Sequence, residues 1–225
     1  MPVHVVFTPG EAAPAAVGIV VDVLRATSTI TQALASGYER VLCCSEIEDA
    51  LALHAELPDS LLGGERNAVR VEGFEVGASP REFLEVRART LILSTTNGTR
   101  AILETAQRCD RVLLGSLLNL SAVGAAVEGD DVVVVCAGFQ GGFALDDAYC
   151  AGRIVQLLEA ERTDAAVAAD LLARVFPTAL DGLNARTYGP PGLEEDIAYC
   201  AQEDLLDVVP LLADVTGTAA EIMRR

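Results

Sequence analysis

The chain has 225 residues and a formal net charge of −17, from 33 Asp and Glu against 16 basic residues. All of the basic residues are Arg, so Schiff-base, pyridoxal phosphate, P-loop and protein kinase chemistries, which need a Lys ammonium, are excluded. The acidic balance, with no basic patch to offset it, argues against nucleic acid, and no apolar run of about 18 residues offers a membrane span. Taken in chain order, short apolar runs at 17–23, 40–44, 61–63, 90–94, 111–115 and 131–137 read as strands. Helix-length segments lie between most of them, at 29–36 (closed by Gly37), 47–57, 100–108 and 121–127. Continuously apolar strands are covered on both faces, so the expected class is α/β: a three-layer α/β/α arrangement with a mostly parallel or mixed central sheet.

From about residue 144 the pattern turns mainly helical, with amphipathic segments at 145–162 and 165–176. A Gly/Pro-rich connector follows at 188–192, then a helix at 193–201. Residues 208–212 read as a last edge strand, because Pro210 is tolerated only at an edge or an end. No linker, repeat or low-complexity tract divides the chain, and one domain over 1–225 is expected. Aromatic residues are only 4% of the chain, so its core is expected to be built of Ala, Val, Leu and Ile. The Ala-rich segment 165–172 is either covered by the C-terminal segment or forms a partner contact, and a homodimer is the expectation. Cys43, Cys44, Cys109, Cys136, Cys150 and Cys200 form no C-x-x-C pair and read as small buried hydrophobes in a reducing cytoplasm. Residues 1–4 carry no basic region before an apolar stretch, which agrees with a cytoplasmic protein.

Ligands of open α/β sheets bind beyond the carboxyl ends of the strands, so the residues after each apolar run carry the functional signal. Five such junctions place Asp22, Arg25, Thr27 and Ser28; Glu65 and Arg66; Thr96, Asn97, Gly98, Thr99 and Arg100; Ser116 and Asn119; and Gly138 leading to Asp146 and Asp147. Hydroxyls, amides and Gly at helix starts, with Arg, suit an anion. Acids in the same neighbourhood are costly without a cation between them, and oxygen-only ligands select Mg²⁺ or Mn²⁺. A small anionic phosphorylated substrate with a divalent cation is the expected chemistry. Taken one at a time, Thr29, Asn97 and Ser121 also suit plain helix caps, and Arg25 or Arg66 a structural ion pair.

Three sharper mechanisms fail on the residues. A haloacid dehalogenase-type phosphatase wants D-x-D-x-T and a Lys, whereas Asp22 is followed by Val23, Leu24 and Arg25. A phosphocysteine enzyme wants an Arg six positions after its Cys, where Cys136 has Gly142. Neither His4 nor His54 is placed as the base of a Ser-His-Asp triad. Metal-assisted attack by water remains.

The strings VDVLRATSTI (21–30), GGERNAVRVEGFEVGASP (63–80), LSTTNGTRAI (93–102), GSLLNLSAV (115–123) and VCAGFQGGFALDDAYCAG (135–152), with DIAYCAQEDLLDVVP near the C-terminus, resemble the 2-phosphosulfolactate phosphatase family. The resemblance implies a Mg²⁺-dependent hydrolase of 2-phospho-3-sulfolactate, a step of coenzyme M biosynthesis in methanogens, on a three-layer α/β/α fold distinct from that of the dehalogenases. Asp22 and Arg25 fall in its first motif, Glu65 and Arg66 in the second, Asn97 and Arg100 in the third, Asn119 in the fourth, and Gly138, Asp146 and Asp147 in the fifth. The sequence departs from it at Asn67, Ala68 and Ala78, on substrate-side loops. The expected roles follow: Asp22, Glu65 and Asp146 or Asp147 hold Mg²⁺, with one acid orienting water, while Arg25, Arg66 and the 97–99 helix start hold the phosphate and the acid group. The alternative from another class is a non-catalytic sensor of a phosphorylated metabolite.

Overall fold

The computed structural model describes residues 2–11, 14–127, 129–189 and 191–225; Met1 of the N-terminal reading and Pro190 of the connector lie outside them. The chain runs β1 (Val3–Val6), β2 (Ala15–Val21), α1 (Ala26–Ser36), β3 (Arg40–Cys44), α2 (Ile47–Glu56), β4 (Leu61–Arg66), β5 (Val69–Arg70), β6 (Thr90–Ser94), α3 (Gly98–Ala106), β7 (Cys109–Gly115), α4 (Leu120–Ala126), β8 (Val132–Cys136), α5 (Leu145–Leu157), α6 (Asp164–Val175), α7 (Ala179–Asn184), α8 (Glu194–Cys200), β9 (Pro210–Thr216) and β10 (Ala219–Arg224). All ten strands form a mixed sheet in the order β1-β8-β2-β7-β9-β10-β3-β6-β4-β5. The α/β class is as expected.

Side-chain alternation along the strands builds the layers. In β3, Val41 and Cys43 join the core around α1 and α3, whereas Leu42 and Cys44 pack with Ala50 of α2 on the opposite face. In β2, Val20 joins the α1 and α3 core, and Val17, Ile19 and Val21 face α4, α5 and α6. One face of the sheet therefore carries α1 and α3. The other carries α2 at one end and the C-terminal helices at the other.

Two blocks of parallel strands, β1-β8-β2-β7 and β3-β6-β4, are joined by the β9–β10 hairpin through antiparallel pairings. This corrects the reading of 208–212 as an edge strand: β9 lies mid-sheet. Pro210 is tolerated because it stands at the strand's first position, opposite Arg224, and β9 meets β7 only at Leu113↔Leu211. The mainly helical part after 144 likewise returns to the sheet through β9 and β10. The Ala-rich helix α6 buries Ala166, Ala169 and Ala173 and packs on α5 and β1, leaving Val167, Leu171 and Val175 exposed. The six cysteines are free thiols. Burial raises the thiols of Cys44 to about 11 and Cys200 to about 12, as inert core residues require. No helix of the described residues is long and apolar enough to cross a membrane.

Candidate active site

The close approach of two helix starts makes the site. A Cβ placed on Gly98 at the start of α3 would lie 2.3 Å from Ala26 Cβ at the start of α1, and 2.6 Å from Asp22 Oδ2. Only glycine lets the loop after β6 press against the loop after β2 in this way. Around that contact opens a cavity of about 390 Å³, lined by Asp22, Arg25, Glu65, Asn67, Ala68, Thr95, Thr96, Asn97, Phe139, Gln140, Asp146, Arg186, Tyr188 and Leu193 among others. Of the predicted residues, Asp22, Arg25, Glu65, Thr96, Asn97 and Asp146 meet on its walls.

The acids are held in different ways. Asp22 is buried, and its Oδ1 accepts the Ala26 amide at 3.2 Å. Burial, followed by the charge of Glu65, pushes its carboxyl up to about 7. Asp146 accepts the Tyr188 hydroxyl and the Asp147 amide on Oδ1, and burial raises its carboxyl as well. Neither Asp22 Oδ2 nor Asp146 Oδ2 accepts a hydrogen bond from another of the described residues. Glu65 is clamped at both oxygens: Oε1 accepts the Thr96 amide at 2.8 Å, and Oε2 accepts the Ala68 amide at 2.5 Å and the Thr96 hydroxyl at 3.2 Å.

The remaining predicted residues lie off the walls of this cavity and are engaged elsewhere. Asp147 accepts the Val23 amide at 2.9 Å on one oxygen and the Gly138 amide at 3.0 Å on the other, so it ties two loops together and does not line the cavity. Gly138 turns the chain at φ +71°, where a Cβ would meet the Gly142 carbonyl at 2.4 Å. Thr27 and Ser28 bond the carbonyls of Asp22 and Val23, fixing the loop that carries Asp22. Thr99 bonds back to Thr95. Ser116 and Asn119 are fully buried and bond each other, with Asn119 also donating to the carbonyls of Leu114 and Val208.

Arg66 donates to the carbonyls of Glu65 and Ser45 and to the Ser94 hydroxyl, and Arg100 is a surface residue paired with Glu104. Among the three expected plain caps, Thr29 lies within α1 and bonds the Ala78 carbonyl, and Ser121 bonds Asp204. Asn97 stands at the N-cap position of α3, but its side chain accepts from the Gln140 amide instead of capping the helix. Arg25 lines the cavity while paired at 2.6 Å with Asp196, an acid of α8 outside the predicted set.

Asn67, Ala68 and Ala78 line the cavity as their substrate-side loops implied, whereas sequence reasoning missed Thr95, Phe139, Gln140, Arg186 and Tyr188 as wall residues. Tyr188 opens the segment read only as a Gly/Pro-rich connector and Arg186 stands just before it, although an Arg and a Tyr at a Gly/Pro-rich stretch were the available signal. The 2-phosphosulpholactate phosphatase family model matches residues 6–215. The chain belongs to the 2-phosphosulpholactate phosphatase family. Three relatives, each named a probable 2-phosphosulfolactate phosphatase, extend the match. The protein of Caldanaerobacter subterraneus subsp. tengcongensis is 39% identical over 209 residues, covering 86% of this chain and 86% of the relative. That of Symbiobacterium thermophilum is 39% identical over 223 residues, covering 92% and 95%. That of Thermotoga maritima is 37% identical over 223 residues, covering 94% and 96%. Family membership therefore spans both parallel blocks and every loop of the cavity.

Proposed function

We propose that this chain is a Mg²⁺-dependent phosphatase hydrolysing the phosphate ester of a small 2-hydroxy acid, with 2-phospho-3-sulfolactate and water giving 3-sulfolactate and phosphate. The observation that carries this reading is a pair of buried carboxylates, Asp22 and Asp146, on the wall of one cavity, each with an oxygen that accepts no hydrogen bond from another of the described residues. Family membership supports the phosphatase class.

The residues suit Mg²⁺ by the chemistry of the donor set. No three His, Cys, Asp or Glu of the described residues close into a metal cage. Mg²⁺ is held characteristically by one or two carboxylates, with water and phosphate oxygens completing its shell, so the pair Asp22 and Asp146 is the donor set to expect. Their raised carboxyls, disfavoured as anions by burial and by neighbouring acids, are those that a cation would return to the charged form. When bound, Mg²⁺ supplies neutralisation of phosphoryl charge.

The chain does the rest. Glu65, clamped by the amides of Thr96 and Ala68, offers a fixed carboxylate to orient the attacking water and take its proton. The Tyr188 hydroxyl holds Asp146 in place. Asn97 presents a polar side chain at the start of α3 to phosphate oxygens, while Thr96 spends its amide and hydroxyl on holding Glu65. The test is phosphate release from 2-phospho-3-sulfolactate with Mg²⁺ and with chelator: turnover that stops in chelator and returns with Mg²⁺ is expected. Full activity in chelator refutes the metal role. Ligand-dependent stabilisation without any phosphate release supports a sensor instead.

A further inference from the structure

The two arginines of the cavity are in unequal states. Arg25 is committed: its Nη1 pairs with Asp196 at 2.6 Å, its Nη2 donates to the Ala68 carbonyl at 3.2 Å, and the side chains of the pair are 9% and 8% exposed. Arg186 forms no ion pair among the described residues. Its Nη1 donates to the Tyr188 carbonyl at 2.6 Å, while its Nε is buried with no acceptor among the described residues. Nε and Nη2 make up one edge of the guanidinium, and no protein acceptor of the described residues meets that edge. A buried N–H left unsatisfied is costly, at about 1–3 kcal/mol, so the edge suits an acceptor that the chain does not itself provide.

The loop that carries Arg186 is held firmly against the site. The Tyr188 ring stacks on Phe139 with centroids 4.2 Å apart and planes at 22°, and its hydroxyl bonds Asp146. Arg186 is thereby set at a fixed place relative to the acids. Two parallel N–H groups on one guanidinium edge match two oxygens of a planar or tetrahedral acid group, a fit that Lys cannot reproduce. A phosphorylated 2-hydroxy acid carries a reacting phosphate, which belongs with Asp22 and Asp146, and at least one further acid group, which remains to be met.

We infer that Arg186 grips the non-reacting carboxylate or sulfonate of the substrate through Nε and Nη2, and that it thereby selects phosphate esters of acids over those of neutral alcohols. The inference rests on the phosphatase reading above. Its test compares 2-phospholactate with isopropyl phosphate, which lacks the acid group, on the wild type, Arg186→Gln and Arg186→Lys with Mg²⁺ present. For Arg186→Gln the KM for 2-phospholactate is expected to rise roughly 10- to 100-fold with kcat within about 3-fold, the value of one charge-assisted pair. Its kcat/KM for isopropyl phosphate stays within about 2-fold, and Arg186→Lys recovers only part of the loss.

Equal losses on both esters, or a collapse of kcat, overturn the assignment, because Arg186 then serves the phosphate or the fold. No change on either ester overturns it too. If the wild type hydrolyses neither these esters nor 2-phospho-3-sulfolactate, the phosphatase reading fails, and calorimetric binding of 3-sulfolactate decides the role of Arg186. Binding to the wild type that weakens about 10-fold or more in Arg186→Gln supports it. Equal binding, or none, refutes it.

Discussion

Replacing Gly98 with Ala tests whether the contact of two helix starts makes the active site. The added methyl would stand 2.3 Å from Ala26 Cβ and 2.6 Å from Asp22 Oδ2, whereas carbon atoms pack best at about 3.5–4.0 Å. The starts of α1 and α3 would have to part by more than about 1 Å, and overpacking of this kind costs about 1–3 kcal/mol. In a chain of this size each kcal/mol lowers Tm by about 2–4 °C, so a fall of roughly 2–12 °C is expected. The displacement also moves Asp22 against Thr96 and Asn97, and a shift of about 1 Å in a catalytic group costs on the order of 100-fold in rate. Calorimetric melting, with phosphate release measured well below Tm, reads both effects. Gly10→Ala, where a Cβ meets nothing within 4 Å, is the control and leaves both unchanged. A Gly98→Ala protein with wild-type Tm and kcat would refute the reasoning.

Asp22 titrates near 7 in the folded chain against an ordinary 3.8, so the folded state binds its proton more tightly than the unfolded chain does. The stabilisation from that proton is complete below about pH 3.8 and is lost as the pH rises through 7. In chelator, Asp22→Asn is therefore expected to melt higher than the wild type at pH 8 and level with it near pH 4, and with Mg²⁺ present it loses turnover; an equal or lower Tm at pH 8 contradicts this. Asp147→Ala strands the buried amides of Val23 and Gly138 and should cost about 2–5 kcal/mol by urea denaturation. A loss below about 0.5 kcal/mol would restore Asp147 to the candidate ligands. Arg100, with its side chain 73% exposed, should tolerate Ala with kcat/KM within about 2-fold and stability within about 0.5 kcal/mol. A tenfold loss of kcat/KM would return Arg100 to the site.

What was legible in the sequence follows from local rules. Strands at 40–44 and 90–94 stand where apolar runs between polar ends put them, and Asp22, Glu65, Asn97 and Asp146 were found because they follow such runs. The strand at 219–224 was missed because Ala-Ala-Glu-Ile-Met-Arg carries only weak alternation, and of its two pairing partners β3 is remote in the chain while β9 was itself read as an edge.

Local sequence determined the α/β class, the helix and strand periods and the acid-bearing junctions, because each depends on residues within a few positions of one another. Tertiary structure alone decided which polar residues face the cavity. Asp146 and Asp147 are neighbours on one helix, yet one lines the site and the other bonds two backbone amides, because α5 meets β2 and β8 in one orientation only. It also decided the fate of the arginines. Arg25 finds Asp196, which lies 171 residues away, whereas Arg186 forms no ion pair among the described residues and only lies within electrostatic reach of Asp146, and charge satisfaction across such distances has no signature in local sequence.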